Sequence, residues 1–463
     1  MNAFNKLAGI FKPPAAKELF SEDSKVINRK YAILRNQILA VTIITYILYY
    51  FTRKAFTLAN GIAIDNGYAT KVQMSMVLMF FSITYGCSKF IIGNFADRSS
   101  GRTIMTLGLL GAAIVNIALG GTIVAAGSKI TIGPIITMII LMVALGVFQG
   151  MGWPAVARMF SNWYTSEERS KKIAIWNTGG AMGTALLPFI IVPIVLAISV
   201  SDSLTMGFYF WIPSILALIM VPFCWWGLRD NPESQRLPSI EKWKGVELND
   251  KEKQELNWKE IFTKYILKNK YVWILAFANI WVYVIRQGMS TWMLNMAADV
   301  HGVKIVSTES SVLWSTFEWA GLAGGILAAY SCKWFFQNRT APLMVMGLAL
   351  AGIGIIMFQF APHGNEDFLI VALFVAGFGI YIPKTLIGAA AIQLTNKKAA
   401  ATASGFTGLF GYLGDAVFSA PVVAVLAPNR NWDNVFYYFY GCIIVAIIAL
   451  ALLWTKNEKN KIL

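Results

Sequence analysis

The residues of this sequence best suited to chemistry are charged side chains that lie inside long apolar segments. The basic ones are Arg53, Lys54, Lys89, Arg158, Arg286 and Lys384. The acidic ones are Glu318 and Asp415, with Asp97 at the end of an apolar segment. A charge near the centre of a bilayer costs about 2.5–3.5 kcal/mol, so these groups should face protein or water. Their positive excess predicts an internal cavity that attracts an anion.

Basic residues near the ends of apolar segments have a second explanation. A long side chain there can extend to the membrane surface and keep its charged group in water. We favour this interpretation for Arg158, which adjoins a polar turn, and for Lys54. The other four basic residues favour the cavity.

Four of the six basic residues follow a tyrosine by three or four positions. The pairs are Tyr50 with Arg53, Tyr85 with Lys89, Tyr283 with Arg286, and Tyr381 with Lys384. This spacing places both side chains on one face of a helix. A phenol beside a cation suits a multi-oxygen anion such as phosphate, and arginine can hold two of its oxygens. Among 17 tyrosines a single pair would mean nothing, but the repetition supports an anion site.

The apolar segments that carry these residues predict membrane helices, because a bilayer core needs about 20 apolar residues per helix. The chain is 57% hydrophobic and 14% charged, whereas soluble proteins have about 25% charged residues. This composition excludes a soluble or disordered chain, and four cysteines without a CxxC motif exclude a small disulfide scaffold. Twelve spans are predicted, near 36–58, 74–97, 103–125, 133–158, 173–200, 207–228, 271–297, 311–332, 341–361, 368–393, 399–427 and 435–455.

A polar stretch after the sixth span divides the chain into two halves. The predicted regions are an N-terminal segment (1–35), a six-helix bundle (36–228), a linker (229–270), a second bundle (271–455) and a tail (456–463). LYYFTRKAF in the first span resembles WVYVIRQGM in the seventh. Because repeated halves place a binding site between them at the midplane, Arg53 and Arg286 should face each other there.

The remaining basic residues predict the orientation. Of the 39 Lys and Arg residues, 29 lie at the termini, in the linker and in turns on one face. Only Lys71, Lys129, Lys304 and Arg430 lie on the other face. The excess of basic residues on cytoplasmic loops therefore predicts cytoplasmic termini and linker. No cleavable signal peptide is visible, and the net charge of +15 is mostly a topology signal rather than a nucleic-acid surface.

The turn after the second span carries a motif with a known counterpart. Gly93, Asp97, Arg98 and Arg102 form a pattern that resembles the cytoplasmic signature of the major facilitator superfamily, in which the charges latch one conformation. SITYGCSKFIIGNFADRS, FQGMGWP, KIAIWN, YILKNKYVWILAFANIWVYVIR and KKAAATASGFTGLFGYLG are similar to segments of its organophosphate:phosphate antiporter family. That family includes glycerol-3-phosphate carriers, hexose-phosphate carriers and a hexose-phosphate sensor. The resemblance covers nearly the whole chain and implies an all-α fold of two pseudo-symmetric six-helix bundles.

The resemblance also implies roles for individual residues. Arg53 and Arg286 match a pair that clamps the substrate phosphate, and Lys89 matches a lysine of the pocket. The other implied pocket residues are Tyr46, Tyr50, Tyr85, Tyr283, Tyr381, Tyr412 and Asn177. Glu318 matches a glutamate that we interpret as a counter-charge released from Lys89 when substrate binds. The coupling and gating candidates are Glu318, Asp97, Arg98, Arg102 and Asp415.

Three positions depart from the family pattern. Gly180 stands where the family carries a histidine, and Thr291 stands near the place of a family aspartate. The second-half turn, AYSCKWFFQNR, lacks an aspartate. Lys384, in contrast, is an addition in the segment IYIPK. We hypothesise that it supplies the cationic group that glycine at position 180 does not provide.

The sequence therefore predicts a secondary active transporter of a bacterial inner membrane. It would exchange an organophosphate, either glycerol-3-phosphate or a related sugar phosphate, for inorganic phosphate by alternating access. Proton-coupled symport remains open because intramembrane carboxylates can relay protons, and a transporter-like sensor of extracellular sugar phosphate is a further alternative. We expect a monomer with no cofactor, metal or nucleic-acid partner. Walker, HExxH and GxSxG motifs are missing from the sequence, which argues against ATP drive and against an enzyme.

Overall fold

The computed structural model describes residues 11–19, 23–96, 99–127, 129–198, 201–245, 261–336, 339–395 and 399–454. Within these residues every regular element is helical, and twelve helical segments are long and apolar enough to cross a membrane. The predicted all-α membrane fold with twelve spans is confirmed. The fold follows from the hydropathy of the chain, because backbone groups in a bilayer core must be paired within the segment itself.

The first half contains seven helices that make six spans, followed by a short linker helix. They are α1 Ser24–Asp65, α2 Lys71–Ala96, α3 Gly101–Ala126, α4 Ile132–Gly150, α5 Gly152–Trp163, α6 Ser166–Ile198, α7 Asp202–Gly227 and the linker helix α8 Ile240–Lys244. α1 begins twelve residues before the predicted span, where Asp23 accepts a hydrogen bond from the backbone N–H of Lys25. α1 also continues seven residues past the predicted end, so its charged residues lie deeper than the sequence indicated.

The second half repeats this arrangement. Its helices are α9 Lys270–His301, α10 Thr308–Trp334, α11 Thr340–Gln359, α12 Glu366–Gln393, α13 Ala400–Gly414, α14 Ala420–Leu426 and α15 Asp433–Ala451. A π-helical turn, Asp415–Ser419, joins α13 to α14 within one span.

Two predicted spans are interrupted, and a proline explains each interruption. The fourth span divides into α4 and α5 around Met151, since Pro154 has no N–H for the carbonyl of Gly150. In the eleventh span Pro421 likewise leaves the carbonyl of Val417 without a helical donor, and the helix widens into the π-turn. A hydropathy window cannot detect either break because the segments stay apolar throughout.

The two bundles meet along α6 with α10 and along α2 with α13. The Trp314 indole donates to the carbonyl of Thr184 at 3.2 Å, and the Ser315 hydroxyl donates to the carbonyl of Ala185 at 2.6 Å. We call the face that carries the start of α1 and the linker the terminal face, and the other the opposite face. Among the described residues, the hydrogen bonds and ion pairs that join the bundles lie at the midplane or towards the opposite face. No described hydrogen bond or ion pair therefore joins the bundles at the terminal face.

Within the second bundle, glycines allow α10 and α12 to pack backbone against backbone. A Cβ at Gly377 would lie 2.2 Å from the carbonyl oxygen of Phe317, and one at Gly324 would lie 2.2 Å from that of Phe378. Small residues are the usual means of such close approach between membrane helices. The position of α12 beside α10 depends on these two glycines.

Replacing Gly377 by alanine should destabilise the protein by about 1–3 kcal/mol, because the added methyl group collides with backbone that cannot rotate away. Thermal unfolding of the detergent-purified protein measures the loss. The matched control is Gly441→Ala on α15, where an added Cβ meets nothing within 4 Å and helix propensity improves. Equal midpoints for the two variants would contradict the packing argument.

Candidate functional site

The charged residues predicted from the sequence converge at the midplane between the bundles. α1 contributes Arg53 and Lys54, and α9 contributes Arg286. Glu318 lies on α10 and Asp415 begins the π-turn. All five have less than a tenth of their surface exposed, so each charge must be satisfied by protein or by ligand.

Arg286 is held by its own bundle. Its Nη2 donates to the hydroxyl of Tyr381 at 2.6 Å and lies 3.5 Å from Oε2 of Glu318. Its other terminal nitrogen donates to the side-chain oxygen of Gln287. Tyr381 donates in turn to Glu318, which also accepts from Ser290 at 3.4 Å. Arg286, Glu318 and Tyr381 thus form a closed polar group, and we call it the Arg286 triad.

This triad corrects the partner predicted for Glu318. The sequence analysis assigned Glu318 to Lys89, whereas the structure pairs it with Arg286. The reason is position in the fold: Glu318 and Arg286 belong to the same bundle, and Lys89 lies on α2 of the other bundle. The ammonium of Lys89 lies about 6 Å from the ring centroids of Trp153 and Tyr412 instead.

Arg53 has a different environment, made of aromatic rings. Its guanidinium carbon lies 4.0 Å from the ring centroid of Tyr85, 5.3 Å from that of Tyr50 and 5.8 Å from that of Tyr412. Phe81 completes the group at 5.4 Å. Among the described residues no carboxylate lies within 4.0 Å of this guanidinium. Arg53 is therefore available to an anion without the breaking of an ion pair.

Lys54 contradicts its sequence interpretation. It does not extend to the membrane surface: it is 4% exposed, and its ammonium donates to the hydroxyl of Ser290 in the other bundle at 3.0 Å. The physical reason is the additional length of α1, which places Lys54 well inside the bilayer rather than near a helix end. Arg158, in contrast, is partly exposed on α5 towards the terminal face.

Asp415 binds polar groups of both bundles. It accepts from the hydroxyl of Ser82 at 2.6 Å and from the amide nitrogen of Gln287 at 3.3 Å. With Arg53, Lys54 and others it lines an internal cavity of about 30 Å³, which is room for water. Thr291, the residue near the place of the family aspartate, lines the same cavity.

The predicted tyrosines of the first bundle and of α9 and α13 form two groups of contacting rings. Tyr412 meets Tyr85 and Tyr283 edge to face, with ring centroids 4.7 and 5.2 Å apart, and Tyr46 packs against Tyr50 and Trp176. A Cβ at Gly180 would come within 2.9 Å of the Tyr50 ring. Tyr50 therefore fills the space that a side chain at position 180 would need.

Other predicted residues stand apart from this cluster. Asn177 is exposed on α6, and no described hydrogen bond joins it to the site. Asp97 and Arg98 lie outside the described residues. The backbone N–H of Arg102 donates to Asp230, just after α7, at 2.9 Å, and its guanidinium lies 4.5 Å from the Trp225 ring centroid, so neither contact reaches the second bundle.

Sequence reasoning missed the neutral polar residues of the site. They are Ser82, Gln287 and Ser290, which hydrogen bond to Asp415, Arg286, Glu318 or Lys54. Ser82 could have been found, since it precedes Tyr85 by three positions and shares its helix face. Gln287 and Ser290 give no such signal, because an amide or hydroxyl carries no charge that must be explained.

The opposite face is closed by charged residues that we call the opposite-face latch: Lys71, Asp299, Arg430 and Asp65. Asp299 of α9 lies 3.4 Å from the Lys71 ammonium of α2 and 3.3 Å from the Arg430 guanidinium. Arg430 also reaches Asp65 at the end of α1, at 3.5 Å. The side chain of Asp299 is only 6% exposed, so its charge interacts more strongly than that of a surface pair.

Comparison with known proteins places the geometry in context. The Major Facilitator Superfamily profile matches residues 42–419. The glycerol-3-phosphate transporter of Bacillus subtilis (strain 168) is 36% identical over 462 aligned residues, covering 98% of this chain and 99% of that protein. The membrane sensor protein UhpC of Escherichia coli (strain K12) is 32% identical, covering 97% and 98% respectively. A bacterial homologue of the human lysosomal transporter Spinster, inward-facing and unoccupied, superposes with a TM-score of 0.64 at 15% identity, covering 91% of this chain and 95% of that one. The last likeness shows the fold alone.

Replacing Asp299 by asparagine should open the opposite face, because Lys71 and Arg430 are then deprived of the carboxylate that they share. Spin labels at Asn66 and Lys304, exposed residues of the two halves, would measure the separation once the four native cysteines are replaced. We expect a new, longer component in the distance distribution. Asp433→Asn, an exposed site with no partner in the other half among the described residues, is the control, and an unchanged distribution in the Asp299 variant would refute the latch.

Proposed function

This chain belongs to the organophosphate:phosphate antiporter family of the major facilitator superfamily, and from that membership we propose a specific exchange. The protein takes up an organophosphate, glycerol-3-phosphate or a related sugar phosphate, and releases inorganic phosphate by alternating access. It is a multi-pass membrane protein, and we place it in a bacterial inner membrane with both termini in the cytoplasm. The terminal face, at which no described hydrogen bond or ion pair joins the bundles, is then the cytoplasmic one.

One observation carries the proposal: two buried arginines from opposite bundles, Arg53 and Arg286, each lie against tyrosine rings at the midplane. A guanidinium presents a planar fork that matches two phosphate oxygens. Tyrosine hydroxyls beside each fork can donate to the remaining oxygens. A phosphate between the arginines would satisfy both charges at once, which no described protein group does.

The same geometry supplies a reason for obligatory exchange. Without an anion, Arg53 has no carboxylate within 4.0 Å among the described residues, and Arg286 has only Glu318. Closing the terminal face would then bring two like charges together without a common counter-charge. A bound phosphate removes this repulsion and gives both bundles a common partner. A ligand shifts a conformational equilibrium only through such a difference in interaction between the two states. The loaded carrier therefore reorients and the empty carrier does not.

Glu318 and Asp415 have separate roles in this scheme. Glu318 occupies Arg286 while the site is empty, so phosphate must displace it to bind. Asp415 joins the bundles through Ser82 and lines the same cavity as Lys54. In this scheme Asp415 is the counter-charge of Lys54. Thr291, near the place of the family aspartate, cannot have this role because a hydroxyl carries no charge.

A second candidate function rests on one of the comparisons. The relative that is 32% identical is named a membrane sensor protein, so this chain could report an external sugar phosphate instead of carrying it. A sensor needs the same binding site but no turnover. Measured exchange therefore distinguishes the two functions.

The first test measures labelled phosphate exchange in proteoliposomes loaded with phosphate. We expect saturable exchange that external glycerol-3-phosphate inhibits. Arg53→Lys and Arg286→Lys should each weaken the apparent affinity by about tenfold or more, since a charge-assisted hydrogen bond contributes about 1.5–3 kcal/mol. Arg158→Lys is the control because Arg158 lies outside the cluster. Binding without exchange would favour the sensor.

The second test distinguishes exchange from proton symport. Vesicles without internal phosphate are given an acid-outside pH jump, and uptake of labelled glycerol-3-phosphate is followed. Exchange predicts no uptake above that of empty liposomes until phosphate is placed inside. Uptake driven by the pH jump alone, and abolished by Asp415→Asn, would instead show that a buried carboxylate couples proton entry to transport.

A further inference from the structure

The basic side chains of the pocket originate from two levels of the molecule. Arg53 touches Tyr85 of α2, and Arg286 touches Tyr381 of α12. Both helices run from the opposite face to the terminal face, and each carries a lysine after its tyrosine. At 1.5 Å per residue, Lys89 begins about 6 Å, and Lys384 about 4.5 Å, nearer the terminal face. We call this pair, one from each bundle, the lysine layer.

Lys384 has no acidic partner of its own among the described residues. It is partly exposed, its ammonium lies 4.4 Å from the Tyr381 ring centroid, and no described hydrogen bond or ion pair involves it. The charged groups that act most strongly on it are Arg286, Glu318, Arg53 and Lys89. The only carboxylate among these four already binds Arg286. The ammonium thus faces mainly like charge.

A phosphate monoester does not account for this many cations. It carries close to two negative charges at neutral pH, which Arg53 and Arg286 can balance between them. Glu318, displaced from Arg286 by the phosphate, can pair with one lysine of the layer. The other lysine would then remain without a partner inside a membrane protein, where an unpaired charge is costly. Tyr50 already fills the space beside Gly180, so the Lys384 side chain cannot take the place of a side chain at position 180.

We propose that the lysine layer binds a second anionic group of the organophosphate, a carboxylate. This inference rests on the proposed function and narrows its substrate to phosphate esters of hydroxy acids. In a three-carbon ester of this kind, four covalent bonds separate phosphorus from the carboxylate carbon, about 5 Å in an extended chain. A ligand of this length can extend from Arg286 to Lys384, because the guanidinium carbon and the ammonium lie 5.1 and 4.4 Å from the centroid of the same Tyr381 ring. The phosphate then lies between the arginines with the carboxylate at the lysines.

A matched pair of ligands tests the proposal. Glycerol-3-phosphate and 3-phosphoglycerate share a skeleton and differ in a hydroxymethyl group against a carboxylate. We expect 3-phosphoglycerate to inhibit phosphate self-exchange at about tenfold lower concentration, the effect of one added charged contact. Lys384→Gln should reduce that preference to about threefold or less, because it weakens inhibition by 3-phosphoglycerate much more than inhibition by glycerol-3-phosphate. Lys304→Gln, an exposed lysine of a loop on the opposite face, is the control.

The other outcomes each have a definite meaning. Equal inhibition of the wild-type protein by both ligands overturns the proposal while phosphate exchange upholds the proposed function. If Lys384→Gln weakens phosphate and both esters equally, Lys384 contacts the phosphate itself, as hypothesised from Gly180, and the carboxylate site is refuted. If no exchange occurs at all, the proposed function fails, and ligand-induced thermal stabilisation in detergent compares the two esters directly. The same measurement without ligand verifies that the variant is folded.

Discussion

The Arg286 triad is the constraint on which the rest of the site depends. A guanidinium can be buried at the midplane only with partners, and Glu318 and Tyr381 supply them. Removing one member of such a buried pair costs about 3–5 kcal/mol, because the other charge is left without compensation. A ligand that takes Arg286 from Glu318 must therefore bring comparable negative charge and hydrogen-bonding capacity. A neutral sugar cannot meet this requirement, whereas a phosphate can.

Arg53 differs from Arg286 in the partner that a ligand displaces. A cation–π contact contributes about 0.5–2 kcal/mol, less than the buried ion pair, and the rings around Arg53 can remain in place while an anion approaches its edge. An anion can therefore reach Arg53 without breaking an ion pair, so an entering phosphate should contact Arg53 before it separates Arg286 from Glu318. Binding to Arg286 then becomes the step that commits the two bundles to one common ligand.

Sequence reasoning succeeded for the features that the cost of burying polar groups dictates. Apolar runs predicted the twelve spans, and charges inside them identified Arg53 and Arg286. It failed where the outcome depends on which helices become neighbours, as with Glu318, whose partner is Arg286 and not Lys89. The prediction for Lys54 was wrong because the end of α1 was placed too early. The helix breaks near Pro154 and Pro421 were not predicted, for a related reason. Hydropathy is averaged over many residues, and such an average does not detect the effect of one proline.

The site and the opposite-face latch are connected by two continuous helices. Arg53 and Asp65 lie on α1, and Arg286 and Asp299 lie on α9, in each case separated by about 18–20 Å at 1.5 Å per residue. Neither helix contains a proline or a described break, so a tilt imposed at the arginines moves the aspartates as well. Arg430 contacts both aspartates. The π-turn at Asp415 provides a place where the second bundle can bend. A phosphate that draws Arg53 and Arg286 together therefore acts on α1 and α9, the two helices whose far ends are held by the opposite-face latch.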